Sequence, residues 1–453
     1  MDFNLKYGLA VLLLLPASGC QEVLNPKPTN VLSSDIVLTS PEDVPAVRLG
    51  LYNSLRGTAA LSVVAGDLTA DLASHNGTFT VYNELGNKQI SSANDAAASF
   101  WASVYNTVYL ANFIEERLPR LTRVPARQRN ELLAEASLVK GYVYFIGANT
   151  FGDIPFVTGT SVDANRNIAR TPRAQVLDSA LRYVQGSLSF LPDSSVGGPG
   201  FASKDAAKAL LARLYLYRKD WQQAETYATQ VIGVRRYRLE AKFPDVVNKE
   251  FDSEAVLEMA YGNTSTDDPG TSTFGLNNIF VGRREVIPSN AFSSQIFSPE
   301  SGERSSTIRF NPAQQRGNDN GFSVRKYGTV DEGNNNITLF RLAEMYLIRA
   351  EARVQQAKLT DAAEDINVLR RRAKAPTVNA TNQADMLLVI ERERLYELAF
   401  EGHRWYDLVR TGRAKAVMSA FSPNWKDAYE RWPVPQTEIQ RNPALAGAQN
   451  PGY

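Results

Sequence analysis

The stretch "ERERLYELAFEGHRWYDLVRTGRA", Glu391 to Ala414, interleaves charged side chains with large apolar ones at helical spacing. On a helix, Glu401, Arg404 and Asp407 would form i,i+3 pairs, and Glu397 would lie one turn before Glu401. Charged residues in such a pattern usually hold structure together. We therefore interpret the stretch as a packing and salt-bridge seam rather than as a pair of catalytic carboxylates.

The aromatic residues near this seam support the same interpretation. Trp405 lies within it and Trp432 follows it, and both are expected in the core because large aromatic side chains are mostly buried. No long polar loop that could form a pocket is expected beside the seam.

Working outward, two segments each predict a helical hairpin. "DAAKALLARLYLYRKDWQQAETYATQVI" reads as two short helices joined at Lys219-Asp220, with small residues Ala212 and Ala224 at the close approach. "MYLIRAEARVQQAKLTDAAEDINVLRRRA" repeats that spacing with Ala350 and Ala362. Any amphipathic hairpin could give one such match, but two favour an all-α, tetratricopeptide-like helical repeat scaffold.

Further helices are predicted in the first third of the chain. One begins after the N-cap Ser40 and ends at Gly57, and a second begins near Asp95. A third, long and aromatic, is stopped by Gly152 and Pro155.

Two stretches lack this helical pattern: 66–94, and from about Tyr261 to Asn336. Loops of this length in a compact protein are usually functional or disordered, and their aromatic residues favour folding onto the scaffold. They form the loop-rich, irregular part of the predicted fold, where a ligand site is expected.

A glycan site needs an aromatic face for the CH surface of a sugar, with amides, carboxylates or arginines for its hydroxyls. In the first stretch, His75 and Asn76 could equally cap a turn, and Phe79 and Tyr82 could equally pack the loop onto the core. In the second stretch the weaker candidates are Arg283, Arg284, Arg325 and Tyr327. Neither stretch contains tryptophan, which disfavours a large polysaccharide-binding shelf. Smaller oligosaccharides and non-sugar nutrients therefore remain possible ligands. The candidate ligand residues are Asp67, Asp71, His75, Asn76, Phe79, Tyr82, Asn83, Asn87, Arg325 and Tyr327.

Composition argues against several other functions. The formal charge of +1 gives no field for nucleic acid, and one cysteine with two histidines makes a metal site improbable. Asp67, Asp71 and His75 would share a helix face if that piece were helical, which keeps hydrolysis as an alternative. No catalytic motif is present, so we predict no catalytic residues, no metal and no cofactor.

The N-terminus predicts export. Residues 1–19 have an apolar run followed by small residues, as in a secretory signal, and this run is too short to span a membrane. Cys20 follows at the position where bacterial lipoproteins are cleaved and acylated, although an ordinary signal peptide with an incidental cysteine is the alternative. Residues 20–36 would then be a lipidated, proline-containing tether.

The sequence of this seam resembles a motif of the SusD/RagB family. In that family the run E-R-x-x-E-L-x-F-E-G-x-R-[aromatic]-x-D-L-x-R recurs. "FWASVYNTVYLANFI", "EASLVKGYVYFIGANTFGDIPFV", "FRLAEMYLIRAEA" and the ending "WPVPQTEIQRNPALAGAQNPGY" agree in order. The residues of this chain that match the family run are Glu393, Arg394, Glu397, Leu398, Phe400, Glu401, Gly402, Arg404, Trp405, Asp407, Leu408 and Arg410.

The resemblance implies binding rather than catalysis. SusD-like proteins are lipid-anchored outside the outer membrane and act as a lid over a SusC-like TonB-dependent transporter, to which they deliver a nutrient. For this chain the resemblance implies one SusD-like domain over 37–453, with an N-terminal part to about 260 and a C-terminal part from about 261. A helical-repeat adaptor that binds only protein, or capture of a non-sugar nutrient such as a peptide, are the alternatives.

Overall fold

The computed structural model describes residues 37–194, 198–261, 275–328 and 335–453. The predicted signal, Cys20 and the tether lie outside these residues. None of the described helices is long and apolar enough to cross a membrane. The helices are α1 (Val44–Leu68), α2 (Thr80–Gly86), α3 (Asp95–Arg117), α4 (Ala126–Phe151), α5 (Val162–Asn165), α6 (Arg173–Ser187), α7 (Lys204–Tyr217), α8 (Trp221–Ile232), α9 (Phe243–Asn248), α10 (Asn290–Gln295), α11 (Leu342–Gln355), α12 (Leu359–Arg372), α13 (Gln383–Glu397), α14 (Arg404–Arg410), α15 (Ala414–Phe421) and α16 (Gln436–Arg441).

Short antiparallel pairs of strands connect these helices, and the fold is predominantly helical as predicted. The pairs are β1 with β5, β2 with β3, β4 with β8, and β6 with β7. The strands are β1 (Ala73–His75), β2 (Ile154–Pro155), β3 (Arg170–Thr171), β4 (Ala255–Met259), β5 (Val286–Pro288), β6 (Ile308–Phe310), β7 (Phe322–Val324) and β8 (Ile337–Arg341).

The long helices α1, α3 and α4 pack on one another in the main core. The predicted starts and stops hold for α3, which begins at Asp95, and for α4, where Gly152 adopts a positive φ of 79°. The prediction that α1 ends at Gly57 is wrong, because the helix continues to Leu68. A mid-helix glycine costs about 1 kcal/mol, and the buried turns that follow Gly57 outweigh this cost.

Both predicted hairpins are confirmed. α7 and α8 are joined through Lys219, α11 and α12 through Ala357, and α8 packs against α11. Ala212, Ala224, Ala350 and Ala362 are all fully buried. The repeats therefore form a continuous scaffold.

The seam is a buried ion-pair network, as predicted, but many of its pairs join it to distant segments of the chain. Glu401 pairs with Arg341 and Lys326 rather than with Arg404. Of the predicted type of pair, only Asp407 with Arg410 is present within the run, at 2.8 Å. Trp405 and Trp432 are buried as expected.

Candidate functional site

The two irregular stretches meet in a small sheet, where Ser74 pairs with Ile287. Beside it, the buried Glu285 carboxylate accepts hydrogen bonds from the Phe79 amide at 2.9 Å and from Arg283 Nε at 3.0 Å. Gly77 makes this possible, because a Cβ there would lie 2.0 Å from Glu285 Oε2. The loop 76–79 is thus fixed on the second stretch.

A second, partly buried contact extends the junction toward the β6–β7 hairpin. Asp319 accepts both guanidinium branches of Arg284 at 2.6 and 2.9 Å, and Asn76 Nδ2 at 3.2 Å. Arg284 Nη2 also donates to the Phe322 carbonyl at 2.7 Å. The loop, the sheet and the hairpin are therefore one connected surface.

Three predicted ligand residues are instead buried. Asp67 accepts from the Gly402 amide at 3.0 Å, Tyr82 is only 1% exposed, and Tyr327 donates to the Phe400 carbonyl at 2.6 Å. Burial raises the pKa of the Asp67 carboxyl and of both phenols. As a correction, these side chains stabilise the scaffold and offer no surface to a ligand in this structure.

The helical alignment of Asp67, Asp71 and His75 is also wrong, because α1 ends at Leu68 and His75 lies in β1. The His75 ring contacts Asn83 Nδ2 at 3.3 Å and Glu285 Oε2 at 3.6 Å. Burial lowers the pKa of His75, although Glu285 opposes that shift.

The other predicted residues lie nearer the surface. Asn83 in α2 and Asn87, which directly follows that helix, are both exposed, and Asn87 Nδ2 donates a 2.7 Å hydrogen bond to Asn83 Oδ1. Phe79 is half-buried beneath the Arg283 guanidinium, 4.2 Å from its ring centroid. Arg325 is exposed and directly follows β7, far along the chain from the other exposed candidates.

Asp71 lies in an open cleft of about 560 Å³ that adjoins the seam, where no polar pocket loop was expected. On its wall Arg404 binds Asp71 through two bonds of 2.7 and 2.9 Å, and Glu391 binds Arg413 at 2.7 Å. Apolar and amide side chains complete the cleft. The lining residues are Asp71, Asn290, Ala291, Gln295, Glu391, Arg392, Leu395, Arg404, Val417, Ala420 and Phe421.

Beside the cleft lies an aromatic cluster that the sequence interpretation missed. Phe297 and Phe310 are 54% and 45% exposed and pack against Phe322, with ring centroids 5.7 and 5.0 Å away. Asn320 links the hairpin to the cleft by donating to Asn290 Oδ1 at 3.0 Å. The sequence feature that could have indicated this cluster is the proximity of aromatic and asparagine residues in "RFNPAQQRGNDNGF", Arg309 to Phe322.

Within the described ranges, no group of three or more His, Cys, Asp or Glu side chains is arranged to hold a metal ion. Such a site would need several of these ligands around one point.

These features define a tetratricopeptide-like helical scaffold that carries a cleft and a loop-built surface. The family described as "SusD family" matches residues 303–453, and the one described as "Starch-binding associating with outer membrane" matches residues 24–216. The chain belongs to the SusD/RagB family.

Similar proteins agree with this assignment. SusD-like protein P25 of Formosa agariphila is 26% identical over 98% of both chains. The starch-binding protein SusD of Bacteroides thetaiotaomicron is 37% identical over 26% of this chain and 21% of its own length. A laminarin-binding SusD-like protein of known structure has a TM-score of 0.77 and 23% identity, over 91% of this chain and 99% of its own.

Proposed function

We propose that this protein is a non-catalytic, glycan-binding lipoprotein of the outer membrane that captures oligosaccharides for uptake. The family description names starch binding and the outer membrane, and relatives are named for binding starch and laminarin. This supports a glycan as the ligand.

The observation that carries the proposal is the exposed aromatic cluster at the edge of the cleft. Phe297 and Phe310 offer ring faces to the CH surface of a pyranose. Asn290 and Gln295 supply amide donors and acceptors in the cleft, and Asp71 supplies a carboxylate. Asn76, Asn83 and Asn87 would extend the contacts along the loop junction.

The resemblance also supports a partner and a location. We include in the proposal that Cys20 is acylated, that the folded body faces the exterior, and that it acts as a lid over a SusC-like TonB-dependent transporter. The repeat scaffold would offer helical surface to that partner.

The test is a binding screen of the purified protein against laminarin and starch oligosaccharides. Bound ligand raises the apparent melting temperature by mass action, and calorimetry then gives the affinity. We expect Phe310→Ala to weaken binding of a hit, while Phe190→Ala, which also removes an exposed phenylalanine ring, but from another part of the chain, leaves it unchanged.

A hit that is insensitive to Phe310→Ala would move the site elsewhere on the surface. If no glycan binds and the protein retains only a transporter on an affinity column, the adaptor function would replace the proposal. A peptide that binds where glycans fail would favour a non-sugar nutrient.

A further inference from the structure

The second irregular stretch carries an excess of positive charge. Residues 275–328 contain seven basic and four acidic side chains, within a chain whose formal charge is only +1. These residues therefore carry three more positive than negative charges. Whether that excess is neutralised depends on the partner of each charged side chain.

Every carboxylate in these residues is already paired. Glu285 pairs with Arg283 at 3.0 Å and Asp319 with Arg284 at 2.6 Å. Glu300 pairs with Arg392 at 3.5 Å, and Glu303 with Lys374. None of them is left to neutralise a further cation.

Two of the remaining bases are buried in the seam, where Arg304 contacts Glu393 and Glu397 and Lys326 contacts Glu401. The surplus is therefore Arg309, Arg316 and Arg325, all three exposed. None of the three forms an ion pair with any residue in the described ranges; Arg325 donates one hydrogen bond, of 3.3 Å, to Asn248 Oδ1.

All three surplus arginines belong to the β6–β7 hairpin. Arg309 lies in β6 and pairs in register with Ser323, Arg325 follows β7, and Arg316 lies in the connection between the strands. Phe310 and Phe322 are the next pair along the same ribbon. The free cations thus lie beside the exposed aromatic cluster.

Alternation along a strand sets the geometry of this surface. Phe310 and Phe322 share one face of the ribbon, so Arg309 and Arg325 project from the other face. A single sugar cannot contact both faces, but a chain of sugars that crosses the hairpin edge can. Its rings would stack on Phe310 while its anionic groups reach the arginines.

We propose that the glycan captured at this surface is an anionic polysaccharide, one that carries carboxylates or sulfates. This inference rests on the proposed glycan-binding function. A guanidinium binds both groups through paired, charge-assisted hydrogen bonds. The aromatic cluster contributes affinity for the sugar rings, and the three arginines select the charge.

The experiment compares matched pairs of polymers by calorimetry with the full chain, at low and at high salt. Dextran sulfate against dextran tests sulfate, and polygalacturonate against its methyl ester tests carboxylate. We expect the charged member of at least one pair to bind more tightly, and its affinity to fall with salt because exposed charges are screened.

A triple variant, Arg309→Gln with Arg316→Gln and Arg325→Gln, locates the effect. We expect it to lose about tenfold in affinity for the anionic polymer, since three exposed ion pairs of modest strength are removed. The control, Arg120→Gln with Arg123→Gln and Arg127→Gln, removes the same charge from exposed positions on another part of the chain. It should bind like the unaltered protein.

Equal loss in both triple variants would show non-specific attraction and overturn the inference. Binding of neutral laminarin, with no preference for either charged polymer, would also overturn it and leave the proposed function standing. Absence of binding to every neutral and anionic glycan would instead remove the proposed function. An anionic membrane surface that binds where glycans fail would reassign the arginines to lipid.

Discussion

The backbone amide of Gly402 donates a 3.0 Å hydrogen bond to Asp67 Oδ2, across 335 residues of sequence. The contact is close enough that a Cβ on the neighbouring Gly66 would lie 2.2 Å from the Gly402 carbonyl oxygen. The end of α1 and the seam therefore touch backbone to backbone. Glycine is required at both positions, and Gly402 also adopts a positive φ of 77°.

The first prediction concerns this contact. Gly66→Ala should lower the free energy of unfolding by about 1–3 kcal/mol, because overpacking against backbone forces a shift that neighbouring side chains cannot absorb. Denaturant unfolding followed by circular dichroism measures the change. Gly50→Ala is the matched control in the same helix: nothing lies within 4 Å of its Cβ, and it should be neutral or stabilising.

The second prediction concerns the buried ion network. Glu397 contacts Arg304 at 2.7 Å and Arg341 at 2.8 Å, and also pairs with Arg372. Burial opposes ionisation, but these three guanidinium groups outweigh it and hold the pKa of Glu397 far below its usual value. Glu397→Gln should cost about 3–5 kcal/mol, because it leaves buried arginines uncompensated.

The control for Glu397 is the exposed pair of Glu364 with Arg371. Glu364→Gln should change stability by less than about 0.5 kcal/mol. Similar unfolding midpoints for the two variants would contradict the assigned role of the network.

The third prediction is a pH dependence. Burial raises the pKa of Glu258, 1% exposed, to about 8, above its usual value. The folded state then binds the proton more tightly than the unfolded state, so stability is lost as the pH rises from about 4.5 to about 8. Glu258→Gln should flatten this part of the curve and stabilise the protein at pH 8. The measurement is the melting temperature of both proteins at several pH values across that range. An identical dependence of melting temperature on pH in the two proteins would refute the prediction.

The fourth prediction concerns the loop junction. Gly77→Ala should displace the loop 76–79, because the new Cβ would collide with the Glu285 carboxylate. We expect weaker binding of whichever glycan the screen identifies, with a smaller loss of melting temperature than Gly66→Ala causes. An unchanged affinity would exclude the loop from the ligand surface.

The fifth prediction concerns the anchor. Cys20→Ala should release the protein from the membrane fraction, because the proposed acyl chains could no longer be attached. Fractionation and immunoblotting measure this release, and the melting temperature of the purified protein should stay the same. Retention in the outer membrane would contradict lipidation at Cys20.

The helical repeats were predictable because their signal is local. Ala212 and Ala224, or Ala350 and Ala362, report the close approach of two adjacent helices through spacing alone. The start of α3 at Asp95 is also local, since Asn94 Oδ1 caps it through the Ala96 amide at 2.9 Å. Such features need no knowledge of distant parts of the chain.

The ligand surface was harder to predict because it depends on contacts that sequence spacing does not encode. Nothing local distinguishes Tyr82, which is buried, from Phe310, which is exposed. Arg404 forms its two shortest ion-pair contacts with Asp71, 333 residues earlier, whereas the sequence predicted pairs with Glu401 and Asp407 nearby. In each case the outcome depends on tertiary contacts, because the local sequence around the alternative residues does not distinguish them.

The pairing of β1 with β5 also has a consequence for synthesis. Ala73 is synthesised long before Pro288, its partner in the strand register. The delay between the synthesis of Asp67 and that of Gly402 is longer still. Because such distant pairings close late, α1 keeps part of its apolar surface uncovered until the last segment of the chain is available. Truncated products should therefore be recognised by chaperones and proteases rather than accumulate as partial receptors.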